Sequence, residues 1–165
     1  MTRRKLAPLA AVAALGLAGC GLGAGNSSSG VSLTATDGFG KRVLVLKEDM
    51  KTHGEDTVMR LLQRNAKVTT RFGGGFVQSV NGLAGQGGSS AVDWFFFVNG
   101  TEGSKGSASV RVHAGDQVWW DRHDWGAAMD VPAVVGSYPE PFLHGLDGKR
   151  LPVRIECSPP NTPGC

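Results

Sequence analysis

The feature that most restricts the fold is a run of five large apolar residues, Trp94-Phe95-Phe96-Phe97-Val98. Successive side chains of a strand point to opposite faces of the sheet, so a strand here presents aromatic rings on both faces. The segment Arg42–Glu48 alternates in the same way, and the pair Trp119-Trp120 sends one indole to each face. We therefore expect a sheet that is buried or occupied on both sides.

One segment has the pattern of an amphipathic helix. Four apolar residues recur at the spacing of one helix face, namely Val58, Leu61, Leu62 and Ala66. Asp56 or Thr57 can cap the start of this helix. The other regular segments read as strands between turns: 42–48, 68–72, 76–80, 94–98, 107–113 and 117–121, with further edge strands at 133–135 and 151–156. The pattern predicts an α+β fold, a small mixed sheet crossed by a single helix.

A single helix covers one face of such a sheet and leaves the second face for another occupant. The C-terminal segment Val131–Ile155 can fold back over it. Alternatively, the aromatic residues form a platform for a large, flat, partly apolar ligand or for a partner domain. Both interpretations fit the sequence.

The N-terminus has the layout of a secretory signal, because the basic residues Arg3–Lys5 precede the apolar run Leu6–Leu17. The run is too short to span a membrane as a helix. It leads into Leu17-Ala18-Gly19-Cys20, which resembles the bacterial lipobox. We predict that the signal peptide 1–19 is removed and that lipid on Cys20 holds the protein on the extracytoplasmic face of the cell membrane. A flexible tether, 20–35, would follow.

Most of the positive charge belongs to this signal. The formal net charge of +3 falls to zero when Arg3–Lys5 is removed, so nucleic-acid binding has no electrostatic support. Outside the cytoplasm, Cys157 and Cys165 are expected to form a disulfide within a C-terminal extension, 127–165. The sequence stops on Cys165 itself, so we leave open whether this extension is truncated.

The stretch Asp121-Arg122-His123-Asp124-Trp125 follows a predicted strand and is expected to form a polar loop, where binding groups often lie. The other histidines are scattered and no pair has metal-ligand spacing, so no metal site is predicted. No serine lies in a nucleophile elbow, and Asp121 with His123 is the one local acid–base pair that a hydrolase would need. We therefore expect no catalytic residues and no enzyme.

Four segments together resemble the transcobalamin-like C-terminal domain family, a β-grasp module of cobalamin carriers and bacterial surface proteins. They are TVMRLLQRN from Thr57, FVQSVNGL from Phe76, DWFFFVNG from Asp93 and AGDQVWW from Ala114. The resemblance implies a β-grasp domain over residues 36–126. It also implies structural roles for Trp94, Asn99, Gly100, Gly115 and Asp116.

In the carriers the corrin ring lies between this module and a helical barrel, so the resemblance implies cobalamin or a similar large ligand. It further implies a second component, either a helical-barrel partner or a vitamin transporter. We predict a non-catalytic lipoprotein that captures such a ligand or presents it to a membrane uptake system. The expected ligand contacts are Phe95, Phe97, Trp119, Trp120, Asp121 and His123. The alternative is a cell-surface interaction module that binds no small molecule.

Overall fold

A computed structural model describes residues 30–86, 91–126, 131–132, 134 and 143–149. In chain order its elements are β1 (Val31–Asp37), β2 (Arg42–Met50), α1 (Val58–Asn65), β3 (Val68–Arg71), β4 (Phe76–Val80), β5 (Leu83–Ala84), β6 (Val92–Val98), β7 (Thr101–Glu102) and β8 (Gln117–Asp124). A 3₁₀ turn, Phe72–Gly74, joins β3 to β4. No helix within the described ranges is long and apolar enough to cross a membrane.

The strands form two sheets. The larger has the order β2-β1-β8-β6-β7, and the smaller has the order β3-β4-β5. In the larger sheet β1 and β8 are parallel, in register from Ser32 with Gln117 to Asp37 with Arg122, and the other pairs are antiparallel. The last strand, β8, therefore lies at the centre of the sheet, between the first strand and β6.

The core lies between one face of the larger sheet, the helix and the smaller sheet. Its buried side chains are Val31, Leu33, Ala35, Val45, Val58, Met59, Leu61, Leu62, Val77, Val80, Trp94, Phe96, Val98, Val110, Val112, Val118 and Trp120. Five strands spaced about 4.8 Å apart span roughly 19 Å, whereas an eight-residue helix is about 12 Å long. The helix is therefore too short to cover the sheet alone, and β4 contributes Val77 and Val80 to the same core.

The fold-class prediction is wrong. We expected an α+β fold of β-grasp type with one mixed sheet crossed by a helix, and the described residues form a mostly β, sandwich-like arrangement of two sheets with one helix. The segments at 68–72 and 76–80 pair with each other across a short turn, so they build a sheet of their own. The predicted disulfide between Cys157 and Cys165 lies outside the described residues.

The N-terminal boundary of the folded part also moves. Residues 31–35 were assigned to the tether, but β1 begins at Val31 and buries Val31, Leu33 and Ala35 completely. Val31, Leu33 and Ala35 alternate with Ser32, Thr34 and Thr36, which is the period of a half-buried strand, but the segment directly follows the Gly/Ser-rich tether. Its partner β8 lies more than 80 residues away. The local pattern thus predicts a strand here, whereas its place beside β8 depends on a distant contact.

The predicted strand 107–113 is a loop that completes the N-terminus of α1. Its carbonyl groups at Val110 and Ser107 accept hydrogen bonds from the amides of Val58 (3.0 Å) and Met59 (3.2 Å). The side chain of Thr57 caps the helix by accepting from Arg60 N at 3.3 Å. Three of the free amides of the first turn are thus satisfied. The loop makes one isolated β-bridge, between Arg111 and Thr57, and its residues Val110 and Val112 are buried in the core.

Asp56, the other candidate cap, binds Arg64 instead. Its buried carboxylate accepts two hydrogen bonds from the Arg64 guanidinium, one of them 2.6 Å long, and one from His53 N at 2.8 Å. The hydrogen bonds from Arg64 lower the pKa of Asp56, and the amide of His53 adds to this effect against the opposing influence of burial. The pair fixes the start of α1 to its last turn.

Four of the five residues to which the resemblance gave structural roles, Asn99, Gly100, Gly115 and Asp116, lie at one end of the larger sheet, and Trp94 lies toward the other end of β6. Asn99 is fully buried at φ 51°, where it accepts from Gln117 N (2.8 Å) and donates to Asp116 Oδ1 (2.8 Å) and Gly145 O (2.6 Å). Gly100 and Gly115 have φ values of 78° and 89°, a region that glycine adopts without strain. Trp94 is buried and donates from Nε1 to Leu83 O at 3.1 Å, which ties the two sheets together.

Candidate functional site

The face of the larger sheet that points away from the core carries a cluster of aromatic and polar side chains, which we call the aromatic face. On β6, Trp94 and Phe96 point to the core, and Phe95 and Phe97 point the other way. Direct cross-strand partners share a face, and Phe95 is paired with Asp121 and Phe97 with Trp119. The members of the aromatic face are Thr36, Phe39, Phe95, Phe97, Trp119, Asp121 and His123.

The aromatic rings of this face are stacked. The imidazole of His123 lies between Phe39 and Phe95, with centroid separations of 4.1 and 4.5 Å and interplanar angles of 22° and 19°. Phe97 stacks on Trp119 at 5.0 Å and 27°. Near-parallel rings at these distances contribute about 0.5–1.5 kcal/mol per pair beyond the burial of their area. The stacking fixes the plane of the histidine ring.

The carboxylate of Asp121 holds the cluster together. Oδ1 accepts from Thr36 Oγ1 at 2.5 Å, and Oδ2 lies 2.9 Å from His123 Nδ1. Trp119 Nε1 donates in turn to Thr36 Oγ1 at 2.7 Å. Asp121, Thr36 and His123 are 0%, 3% and 4% exposed, so this chain of hydrogen bonds is withdrawn from water. A buried carboxylate is tolerated only when donors surround it.

The turn between β1 and β2 supplies the remaining donors. Gly38, Phe39 and Gly40 all have positive φ, at 68°, 57° and 84°. Phe39 N donates to Asp121 Oδ2 at 2.9 Å, and Gly40 N lies 3.4 Å from Oδ1. Successive amides in such a conformation form a small concave site for an anion, which the carboxylate occupies. This contact places Phe39, half exposed, on the imidazole of His123.

The contact with Asp121 also determines how His123 can act. A carboxylate oxygen accepts but does not donate, so it favours the tautomer with the proton on Nδ1 and the lone pair on Nε2. Nε2 has no hydrogen-bond partner among the described residues. Within the same part of the chain, no three His, Cys, Asp or Glu side chains group to hold a metal ion.

The aromatic face continues onto the edge strand β2. Leu46 is paired with Thr34 and Val43 with Thr36, so both flank the cluster. Their exposures are 59% and 57%. Phe95 and Trp119 are only partly buried. Adjacent exposed apolar side chains beside half-buried rings are typical of binding surfaces.

Five of the six predicted ligand contacts lie together on the aromatic face. The sixth, Trp120, lies in the core on the opposite face, 2% exposed and tilted against Phe96 at 5.2 Å. The predicted polar loop from Asp121 to Trp125 is wrong for its first four residues, because β8 extends to Asp124. Asp121 and His123 are therefore buried sheet residues.

Two members of the aromatic face were not predicted, Thr36 and Phe39. Thr36 lies on β1, most of which we expected to be part of the tether. Phe39 had a visible signal, because the sequence Gly38-Phe39-Gly40 between two alternating segments indicates a turn with positive φ and an outward aromatic side chain.

The segment proposed to cover this face is described only in part. Glu102 N donates to Pro132 O at 3.0 Å and Val134 N to Gly100 O at 2.9 Å, so these residues run beside the β6–β7 hairpin. Leu146 packs against the core. The rest of Val131–Ile155, which includes the predicted edge strands apart from Val134, lies outside the described residues.

A cleft of about 190 Å³ lies on the other side of the sheet, between the larger sheet and β4. Its walls include Trp94, Phe96, Trp120 and Phe76, with Gly103 against the ring of Phe96. Trp120 Nε1 is buried and has no hydrogen-bond partner among the described residues. This cleft therefore contains the one predicted contact that the aromatic face lacks.

Residues 55–124 match a family described as a domain of unknown function, DUF4430. The match runs from just before α1 to the end of β8, so it includes Phe95, Phe97, Trp119, Asp121 and His123. It leaves out β1, which supplies Thr36, and the turn between β1 and β2, which supplies Phe39. No curated protein and no solved structure matches the chain.

Proposed function

We propose that this chain is a non-catalytic, lipid-anchored protein that binds a large, flat, partly apolar ligand on its aromatic face and presents it to a membrane uptake system. The observation that carries the proposal is the position of Phe95, Phe97 and Trp119 beside His123 on one sheet face. The opposite face of the same strands is filled by the core. A ligand must therefore approach from this side.

The physical character of the face favours a flat ligand. Its rings are already stacked, so little conformational entropy is lost when another planar group packs against their exposed edges. Val43 and Leu46 extend the apolar surface at the sheet edge. Each 100 Å² of apolar surface that a ligand removes from water contributes about 2.5 kcal/mol.

Cobalamin or a similar large ligand is the class that we propose. The support is the resemblance of residues 57–120 to the transcobalamin-like family, which is an argument from family to function. Lipid on Cys20 would keep the protein beside the transporter or helical-barrel partner that receives the ligand. Both the lipid and the partner are part of the proposal.

The test is calorimetric titration of the full lipoprotein in detergent with cobalamin and with cobinamide. We expect saturable binding that Trp119→Ala or Phe95→Ala weakens at least tenfold. Phe72→Ala is the matched control, because this aromatic residue is 86% exposed on the turn before β4, in the smaller sheet. If the wild-type protein, shown to be folded by circular dichroism, gives no binding heat with either compound, the proposal is overturned.

A second candidate function is docking of another surface protein on the β2 edge. The observation that favours it is the exposure of Val43 and Leu46 on an edge strand, which offers free backbone groups for pairing. Leu46→Lys separates the two functions. If this variant loses a cross-linked partner protein while its affinity for cobinamide is unchanged, the result supports docking on β2. If the same partner is cross-linked as in the wild type, docking on this edge has no support.

A further inference from the structure

We propose that the turn between β3 and β4 is a membrane-contact tip, which inserts Phe72 among the headgroups of an anionic phospholipid surface while neighbouring cations bind the phosphates. The tip consists of residues 71–75 and the adjoining loop 103–107. It lies outside the aromatic face, so the inference goes beyond the proposed function. It rests on that proposal in one respect, the lipid on Cys20 that holds the domain near the membrane.

Phe72 is the most exposed large apolar side chain among the described residues, at 86%. Its ring meets that of Phe76 edge-on, with the centroids 6.4 Å apart. Most of the Phe72 ring is therefore left in water. An apolar group of this size gains free energy when it enters the boundary between the headgroups and the acyl chains of a membrane.

The backbone at Phe72 has an unfavourable conformation. Its φ is 52°, in the left-handed region that bulky residues rarely adopt, and Gly73 and Gly74 follow at 66° and 94°. Glycine adopts this region without strain, so Phe72→Gly would form the same turn more easily. A strained aromatic residue that the core does not hold is the kind of outlier that clusters at functional sites.

The charge of this part of the chain has one sign. Between Asp56 and Asp93 the sequence has four basic residues and no acidic one. One of the four, Arg64, is paired with Asp56. Because the mature chain is neutral once Arg3–Lys5 is removed, the remainder of it is net negative. An anionic surface therefore attracts this side of the molecule and repels the rest.

Two free cations flank Phe72. Arg71 precedes it directly, and Lys105 belongs to the loop beside the turn, where a methyl group on Gly106 would lie 4.0 Å from the carbonyl oxygen of Gly75. Both cations are exposed, and neither forms an ion pair with another described residue. Their positions allow them to reach lipid phosphates while the ring of Phe72 enters the layer below.

The composition of the tip favours a lipid surface over a protein partner. Phe72 is followed by Gly73, Gly74 and Gly75, which offer no side chains to pack against another protein. The core of a protein interface is a closely packed patch of several side chains. A single ring between two cations needs no such fit when it enters a fluid headgroup layer.

The length of the tether makes a weak contact sufficient. The chain from Cys20 to Gly30 spans at most about 36 Å when fully extended, so lipid on Cys20 keeps the tip near the surface at a high effective concentration. The smaller sheet, which carries the tip, and the aromatic face lie on opposite sides of the larger sheet. Contact at the tip therefore leaves the aromatic face accessible to a ligand.

The test is sedimentation of the mature chain, residues 20–165, with phospholipid vesicles at millimolar lipid and low salt. Cys20→Ser removes the lipid, so any binding comes from the protein surface. Vesicles of phosphatidylglycerol and phosphatidylcholine in equal amounts are compared with phosphatidylcholine alone. We expect the anionic vesicles to bind the chain about 25-fold more tightly, because each of the two cations contributes a factor of about five.

The variants separate the ring from the charge. Phe72→Ala should weaken binding to the anionic vesicles about tenfold through loss of apolar contact. Arg71→Gln and Lys105→Gln should each weaken it about fivefold. Lys47→Gln is the matched control, because it removes the same charge from exposed β2, at the opposite edge of the larger sheet from β7 and the loop that follows it.

Phe72→Gly shows that a loss of binding is not a loss of fold. It relieves the left-handed strain, so its midpoint of urea unfolding should equal or exceed that of the wild type while its vesicle binding falls as in Phe72→Ala. Phe72→Leu keeps a large apolar side chain and should retain most of the binding.

The outcomes separate this inference from the proposed function. Equal binding to both kinds of vesicle, or equal losses in Arg71→Gln and Lys47→Gln, overturns the inference. It is also overturned if no vesicle binds while Phe72→Ala loses a cross-linked protein partner, since the tip would then dock a protein. None of these results touches corrinoid binding, which Phe72→Ala retains. If neither corrinoid binds but the anionic vesicles do, the ligand proposal alone is overturned.

Discussion

The hydroxyl of Thr36 on β1 donates to the carboxylate of Asp121 on β8 across 2.5 Å, and so links the first strand of the chain to the last. The same oxygen accepts from Trp119 Nε1 at 2.7 Å. One hydroxyl thus satisfies an indole and a buried carboxylate at once, at a position with 3% exposure. The stability of the aromatic face depends on this atom.

Thr36→Val should therefore destabilise the protein. The substitution keeps the shape of the side chain but leaves the indole of Trp119 and one carboxylate oxygen without this partner, which costs about 1–3 kcal/mol for each buried group. The measurement is the midpoint of urea unfolding. Thr36→Ser, which keeps the hydroxyl, should lose much less. Equal midpoints for the two variants would contradict the role given to the hydroxyl.

The charge of Asp121 should hold the turn between β1 and β2. We expect Asp121→Asn to speed hydrogen exchange at the amides of Phe39 and Gly40 at least tenfold, because an amide oxygen is a weaker acceptor than a carboxylate. Exchange is measured residue by residue by NMR. Asp124→Asn is the control, since this exposed carboxylate on the same strand bonds, among the described residues, only the local amide of Gly126. Equal exchange in both variants would refute the contact.

The pKa of Asp56 gives a pH dependence with a definite sign. Because Arg64 lowers the folded-state pKa below the unfolded value of about 3.9, the pair stabilises the fold fully above that value. This stabilisation is lost as the pH falls through the unfolded value toward the lower folded pKa. Urea midpoints between pH 6 and pH 2 should show the loss in the wild type.

The comparison variants for this prediction differ in burial. Arg64→Met should flatten the acid part of the stability profile, because it removes the partner of a buried carboxylate. Arg111→Met removes the partner of Glu55 in a pair whose side chains are 58% and 71% exposed, and such exposed pairs contribute little. An acid profile that stays steep in Arg64→Met would assign the effect to another carboxylate.

The sequence predicted the distribution of residues on the strands better than the arrangement of the strands. Alternation separated Phe95 and Phe97 from Trp94 and Phe96, and the structure has them on opposite faces. By the same alternation, the neighbours Trp119 and Trp120 cannot both lie on one face of the sheet, yet both were predicted as ligand contacts. Strict use of this two-residue period would therefore have removed Trp120 from the predicted contacts.

The parts that were missed depend on contacts between distant residues. Thr36 reaches the site only through the parallel pairing of β1 with β8, across 85 residues of sequence, and no local pattern encodes that pairing. The polar residues Arg122, His123 and Asp124 resembled a loop because their sequence is hydrophilic. They form a strand because Trp94, Asp93 and Val92 of β6 pair with them in turn.

Two buried tryptophans provide a matched test of hydrogen bonding in the core. Trp94 and Trp120 are 4% and 2% exposed, but Trp94 Nε1 donates to Leu83 O at 3.1 Å and Trp120 Nε1 has no partner among the described residues. Replacement by Phe removes a similar volume at both positions, so the packing loss is comparable. Trp94→Phe also leaves the carbonyl of Leu83 without this donor, whereas Trp120→Phe removes an unsatisfied one.

We therefore expect Trp94→Phe to cost about 1–3 kcal/mol more than Trp120→Phe in urea unfolding. The difference between the variants is more informative than either value, because errors in the estimated packing loss largely cancel. Equal losses would mean that Trp120 Nε1 is satisfied in solution, for example by water in the cleft that Trp120 lines. That result would indicate that water occupies the cleft and accepts a hydrogen bond from Trp120 Nε1.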